Sequence, residues 1–490
     1  MRAGLFGAGA LAIRSCLNYP PGAEAGATYL RHDIASPAGA AMLRIFAEGV
    51  GKMMALPEGD PRGWAFQWRI HAVRDERSKA SELARLYPNA SDPDHALADA
   101  VWDTCEAHFD PLRVNFFLPW HRMHLMAFER LVRSLASAAH FTMPYWDCTD
   151  PERRALPSEF RSPGDPLWKP LFRADRNPGV NDGQPVDQAG EAPLGLNAMM
   201  SSVYADTLDG DAGFCANLDN APHSAVHIDV GTREKGMGAV SWAANDPIFW
   251  LHHCNIDRIW ASWNRAGGRN PSDEAYLGQV FTLVDETGKP LPIGVADVLD
   301  TAALGYGYDR YLDRPSGSAP FFPGLSGLRF TQHAASYELS GTVTLGGGPT
   351  TVRLTADRGN GHYFRRLRSA SAAGRPFYLR VAGVRITRLP GVSYEVHLDP
   401  APLAALPDRS SRSYVGTINV FGAVIRGTHT GPGSAPHTHP RNYSFAITDL
   451  VRDLLQAGRL RQPPTMVLVP TGRLRPGAAP AVDNISLASS

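Results

Sequence analysis

The chain has 490 residues, and its 48 lysines and arginines balance its 48 aspartates and glutamates. That balance offers no field to gather nucleic acid or an anionic membrane, so a neutral small molecule is the expected partner. An apolar fraction of 43% excludes a disordered chain, while 47 glycines and 40 prolines foretell long loops.

Residues 1–28 have little periodicity and read as an N-terminal tail. The run AGLFGAGALAI after Arg2 imitates a secretory leader only faintly, since it is rich in Gly and Arg14 follows closely, which favours the cytoplasm over secretion. From about residue 40 to 310 the apolar pattern is helical, interrupted by Pro/Gly/Asp-rich loops. In GWAFQWRIHAVR, Trp64, Trp68 and His71 share one face, so His71 points inward. A second helix is predicted from Pro119 through HRMHLMAFERLVRSLA, with Leu125, Phe128, Val132 and Leu135 as its stripe. HSAVHIDVG is a short third helix, and DPIFWLHHCNIDRIWASWNRAGG a fourth, started by Asp246-Pro247 and stopped by Gly267-Gly268. Asp257 and Arg258 in it read as hydrogen-bonding anchors. Residues 313–335, rich in Pro, Gly and Ser, read as a linker, after which the period falls from 3.6 to 2. Residues 336–490 then read as a β-sandwich or jelly roll, with one helix in ITDLVRDLLQAG capped by Thr448 and stopped by Gly458. No apolar run reaches the roughly 18 residues of a membrane span. The five cysteines (16, 105, 148, 215 and 254) are odd in number and lack a CxxC pair, which excludes a disulfide framework or a zinc knuckle.

The histidines carry the chemistry. His223 and His227, at i and i+4, can reach one metal ion, yet HSAVH has Ser224 where a zinc protease would need a Glu base. His253 on the next inward face would complete a trio, and His71, His108 and His121 form a second. Neutral imidazoles without carboxylates or thiolates suit copper or zinc. Two one-electron ions side by side suit O₂, whose reduction takes two electrons at once. His437 and His439 in APHTHP could chelate, but their Gly/Pro flanks read as a solvated loop.

FFLPWHRMHLMAFER and NDPIFWLHHCNIDRIWASW resemble the two copper segments of type 3 copper proteins of the tyrosinase, catechol oxidase and polyphenol oxidase family. The resemblance covers residues 29–312, including YLRHDI and the Tyr-x-Tyr pattern in GYGY at 305–308. YVGTINVFG, FAITDLVRDLL and MVLVPTG are similar to the small β-domain that follows the core in plant-type relatives. The implied fold is a mainly α catalytic core, a central helical bundle holding a dicopper site, followed by an all-β domain over 336–490 that would cover the active site. The resemblance implies two copper ions, one held by His71, His108 and His121 and the other by His223, His227 and His253. It makes His252 a neighbour and His124 a packing residue, and leaves His95, in SDPDHALADA, on the surface. Cys105 corresponds either to the cysteine that forms a thioether to the second ligand, here His108, or to a free buried cysteine, and Cys254 packs.

The implied activity is O₂-dependent oxidation of phenols or o-diphenols to o-quinones, with no nucleic-acid or membrane partner and with an oligomer left open. Asp219 and Ser224 stand where relatives that hydroxylate monophenols have Glu and Asn to hold a proton-accepting water, so the monophenol step is expected to be the weaker one. Ile228 after the fifth ligand is either an apolar contact at the mouth or an apolar core position. The rival readings are a haemocyanin-like O₂ carrier with the same histidines, an o-aminophenol oxidase, and a structural β-protein with degenerate metal sites. For an enzyme kept latent, Phe321 and Phe322 in the linker could plug the mouth, but packing against the domain seam is their expected role.

Overall fold

A computed structural model describes residues 29–489 apart from 74–77, 106–115, 190–193, 206–211, 233–234, 316–333, 339–340, 356–359, 387, 389, 401–405, 422–423, 426–436 and 439. The helices that matter below are α1 (Pro37–Ala55), α2 (Trp64–His71), α3 (Phe117–Ala136), α4 (Phe214–Leu218), α5 (Ser224–Val230), α6 (Ile248–Arg265) and α7 (Thr448–Gln456). Two compact units form: the described residues of Met1–Val186 with Val230–Asp313, and those of Asp187–Asp229 with Arg314–Ser490.

In the first unit α1 opens on Ser36, whose hydroxyl accepts from the Gly39 N–H, with Pro37 at the first helical position, where no N–H is needed. Helix α3 begins at Phe117, two residues before the expected Pro119, and stops at Ser137, which turns left-handed at φ 54°. Helix α6 starts after Pro247 and ends before Gly267 at φ 110°. The cores of α3 and α6 meet where the rings of Phe128 and Trp250 stack at 3.6 Å. Strand β1 (Tyr29–Arg31) pairs in parallel with β2 (Tyr306–Tyr308) in the register Arg31↔Tyr308. This places Arg31 over α6, where the fully buried Asp257 accepts from Arg31 (3.1 Å), Arg122 (2.5 Å), Tyr306 (2.8 Å) and Tyr308 (2.5 Å). Burial pushes that carboxyl's pKa up, but the two guanidiniums and the tyrosine hydroxyls prevail and hold it below the ordinary range. Arg258, also buried, donates to the Arg310 carbonyl at 2.8 Å and pairs with Asp147 at 3.0 Å, so both residues anchor α6.

The second unit contains two four-stranded antiparallel sheets. With β3 (Ala334–Glu338), β4 (Thr350–Arg353), β5 (Phe377–Val384), β6 (Tyr394–Leu398), β7 (Tyr414–Ile418), β8 (Arg441–Ala446), β9 (Thr465–Pro470) and β10 (Asn484–Ser489), the strand orders are β7-β6-β9-β4 and β8-β5-β10-β3. Alternate residues of both sheets, among them Val396, Met466 and Leu468 facing Leu379, Val381 and Leu487, join one apolar cluster. Each such buried side chain is worth about 1.5–3 kcal/mol. Thr448 does not cap α7: it is the first helical residue, and its hydroxyl instead accepts from the Phe377 N–H of β5. Gly458 follows that helix at φ 64°, as a stop residue should. A second helix, Asn360–Ala372, departs from the all-β expectation; HYFRRLRSASA shows too narrow an apolar stripe to announce it.

Candidate metal centre

In the first unit, α2 ends at His71 because Ala72 turns to extended backbone, which aims the last side chain of the helix inward. The ligand atoms of His71, Cys105 and His121 lie within 4.8 Å of one another, all three residues buried. His71 Nδ1 donates to the Val240 carbonyl (3.2 Å) and His121 Nδ1 to the Phe117 carbonyl (2.8 Å). A carbonyl can only accept, so each Nδ1 carries the proton and Nε2 is the ring's lone-pair nitrogen, as a metal requires. The His253 ring of α6 stacks on His121 at 4.2 Å, with Phe249 4.1 Å from His253 and 5.0 Å from His71. Aromatic walls of this kind exclude water and lower the local dielectric constant.

The remaining residues of this unit fall into place around that set. His252 is buried beside His253, ring to ring 5.3 Å. His124 packs between Trp120 (4.8 Å) and Trp250 (4.6 Å), and burial with the nearby His71 lowers its pKa to about 3, so it is neutral. His95 sits half-buried on the helix Pro93–Val101, 6.2 Å from the Tyr87 ring. Cys105 Sγ is 3.8 Å from His121 Nε2. Its expected partner His108, like Phe321, Phe322 and His439, lies outside the described residues. Cys254 packs, its thiol donating to the Met143 carbonyl at 3.4 Å. His437 departs from the expected loop, since His437–Thr438 forms a short ladder with Val424–Ile425.

In the second unit, α4 runs through a wide turn over Asp219–His223 into α5. Ala221 is extended (φ −157°, ψ 131°) and Pro222 lacks an N–H, so the backbone kinks there and turns His223 toward His227, 4.5 Å away ring to ring. Asp219 is buried; its Oδ1 accepts from His223 Nδ1 at 2.9 Å, fixing the same tautomer as in His71 and His121. Ser224 donates its hydroxyl to the Asp219 carbonyl (2.6 Å), and Ile228 is buried. Two contacts were not foreseen. The ring of Phe421 stacks on His227 at 4.3 Å and 17°, and lies 5.8 Å from His223. Arg441 at the start of β8 reaches Asp219 Oδ2 at 3.2 Å. Both residues lie some 200 positions from the histidine segment, so no local period could reveal them. The donor set, imidazoles whose tautomers leave Nε2 for a cation, fits copper and does not fit a hard cation such as magnesium.

Two family models match the chain: the common central domain of tyrosinase over residues 61–184 and 184–266, and the polyphenol oxidase middle domain over 270–315. A tyrosinase of Hahella sp. is 30% identical over 295 residues, 54% of this chain and 59% of that protein. A chloroplastic polyphenol oxidase of Vicia faba is 28% identical over 282 residues, 52% of this chain and 43% of that protein. The chain thus spans about half the length of the curated relatives it matches. A solved structure of latent aurone synthase (polyphenol oxidase) superposes with a TM-score of 0.63 over 96% of this chain and 91% of that one, at 18% identity, which establishes the shared fold. The preference for the cytoplasm finds no support in these relatives. Among the described residues no helix is long and apolar enough to cross a membrane.

Proposed function

The chain belongs to the tyrosinase and polyphenol oxidase family of type 3 copper proteins, and on that premise we propose that it oxidises phenols or o-diphenols to o-quinones with O₂. The observation that carries this reading is the common tautomer of His71, His121 and His223, in each of which Nδ1 carries the proton and Nε2 the lone pair that a metal requires. In this reading His71, His108 and His121 hold one copper, and His223, His227 and His253 the other. When bound, two such ions would supply the two electrons that take O₂ to the peroxide level.

The chain's own residues then divide the remaining work. Asp219 orients the His223 ring through Nδ1, and its second carboxylate oxygen, held here by Arg441, is the acceptor for the hydroxyl proton of a phenol, directly or through a water, once that contact opens. Ser224, whose hydroxyl is committed to the Asp219 carbonyl, steadies the turn that carries both groups. Ile228, buried here, would offer apolar surface to an aromatic substrate without a carboxylate. Phe421 takes the position of such an aromatic ring against His227, which supports a latent state for the full chain and a covering role for residues 336–490, with 29–312 as the catalytic domain and 313–335 as the linker.

The test is o-diphenol and monophenol turnover before and after limited proteolysis, paired with copper analysis. Two coppers per chain, a near-ultraviolet band on adding hydrogen peroxide, and catechol turnover that rises on cleavage are expected. Copper-replete protein without that band would sink the six-histidine assignment. The band without turnover even after cleavage would favour an O₂ carrier, the reading that the stacking of Phe421 on His227 also permits.

A further inference from the structure

We propose that Arg441 is a specificity-determining positioning residue that withholds Asp219 from substrate, so that the second unit silences monophenol chemistry by a polar clamp separate from the aromatic cover of Phe421. The inference rests on the reading above, in which Asp219 receives the phenol proton.

Both oxygens of this buried carboxylate are engaged: Oδ1 by His223 Nδ1 at 2.9 Å and Oδ2 by Arg441 Nη2 at 3.2 Å. Arg441 is itself buried, and its other terminal nitrogen donates to Asn220 Oδ1 at 3.2 Å. The grip continues on both sides of that residue: Asn220 Nδ2 donates to the Asn442 carbonyl (3.0 Å), and Asn419 Nδ2 donates to the Asn220 carbonyl (2.5 Å). Arg441 is not on a pliable loop, because its backbone pairs with Val384 at the start of the β8–β5 ladder. A guanidinium fixed on a strand and donating to a buried carboxylate is not displaced by a neutral hydroxyl without leaving a buried charge unpaired. A phenol or a bridging water must therefore compete with Arg441 for Oδ2. Phe421 does something different: it fills space, stacked on His227 at 4.3 Å and edge-on to His223 at 5.8 Å, and is not a hydrogen-bonding group on the acid. Removing the cover alone should admit substrates while Asp219 stays occupied. An o-diphenol, which is oxidised without inserting oxygen into the ring, depends on that carboxylate less than a monophenol does.

The experiment compares full-length, copper-loaded Phe421→Ala with Phe421→Ala/Arg441→Ala, Phe421→Ala/Arg441→Gln and Phe421→Ala/Arg441→Lys, using catechol and a simple monophenol as probes. The Phe421→Ala chain is expected to turn over catechol and little monophenol. Adding Arg441→Ala or Arg441→Gln is expected to raise the monophenol-to-diphenol kcat ratio by about tenfold or more, whereas Arg441→Lys, which keeps a cation near Oδ2, should leave it low. Hydrogen exchange of the copper-free protein provides a readout independent of turnover: amides of 219–224 should lose protection in Arg441→Ala and keep most of it in Arg441→Lys. Because Arg441→Gln keeps a neutral donor and more of the side chain than alanine does, it stands in if the alanine variant does not fold. The proposal fails if Phe421→Ala alone already shows the ratio of the proteolysed wild type, or if neither the ratio nor the exchange responds to Arg441→Gln. It fails as well if the proteolysed wild type, freed of Arg441, oxidises catechol but no monophenol. Failure of the underlying reading looks different: proteolysed, copper-replete wild type then turns over neither substrate.

Discussion

Asp257→Asn should be the most damaging single-atom change outside the histidines. Asp257 is fully buried on α6, one helical turn beyond His253, and accepts from two guanidiniums and two tyrosine hydroxyls. An amide is neutral and turns one of its two polar atoms into a donor, so Arg31 and Arg122 lose their shared anion and at least one tyrosine faces a like donor. Arg31 keeps Glu129 at 3.1 Å, and Arg122 keeps the Val298 carbonyl at 2.8 Å, which limits the damage to part of a network rather than to a lone buried charge. Breaking a buried pair by removing one partner costs about 3–5 kcal/mol. For a unit of this size that corresponds to a fall in Tm of roughly 6–20 °C. Tyr308→Phe, which removes one hydroxyl and leaves the ions paired, should cost only about 1 kcal/mol. The pH dependence follows from the lowered folded-state pKa of Asp257. The ion's contribution is complete above the ordinary value of 3.8 and is lost as pH falls below it toward the folded-state value. Asp257→Asn should therefore flatten the acid limb of the stability profile while lowering the plateau. Urea unfolding of the copper-free protein between pH 3 and pH 7, roughly the span over which carboxylates titrate, measures both. A variant within about 1 kcal/mol of wild type at neutral pH, with an unchanged acid limb, would refute the assignment of Asp257 as the charge that holds α6 in place.

His253→Ala should reduce bound copper from two ions per chain to about one, because the other trio is untouched; loss of both would show that the two ions bind as a unit, and inductively coupled plasma analysis decides. Asp219→Asn should lower monophenol kcat after proteolysis by about a hundredfold while reducing catechol kcat far less, and equal losses on both substrates would assign it to orienting His223 alone. Gly39→Ala should destabilise the first unit by about 2–3 kcal/mol, since a methyl group there would lie 1.9 Å from the Asp33 carbonyl oxygen, itself the acceptor for Ser36; an unshifted melting curve would contradict that packing.

What the sequence made legible was whatever repeats or signals locally. The i, i+4 pair His223 and His227, the inward phase of His71, and the Pro and Gly punctuation of α6 could all be read within a few residues, and the structure places them accordingly. The alternating strands of the second unit declared themselves in the same way, through the period-2 burial of Phe377, Leu379 and Val381. Thr448 misled because a hydroxyl before an apolar run reads as a cap, whereas here a neighbouring strand claims it. Arg441, Asn419 and Phe421 were invisible for a different reason: each is an ordinary residue whose meaning comes from the segment it meets, and that segment lies about 200 positions upstream.

That long-range meeting changes what the C-terminal half of the chain is for. Residues 187–229 belong to the second compact unit, although the segments on either side of them in sequence belong to the first. Two of the proposed copper ligands, His223 and His227, thus sit on a segment whose buried polar groups are satisfied by the β-rich part: the carbonyl and side chain of Asn220 by Asn419, Arg441 and Asn442, and a carboxylate oxygen of Asp219 by Arg441. Buried groups deprived of such partners cost about 1–3 kcal/mol each, more when charged. A cover that only blocked access could leave at no cost to the ligands beneath it. If residues 336–490 cover the site as proposed, their departure obliges water or substrate to take over at Asp219 and Asn220. In that reading the bonds from Arg441, Asn419 and Asn442 set the polar surroundings into which a phenol must arrive, and opening and proton acceptance are coupled at Asp219.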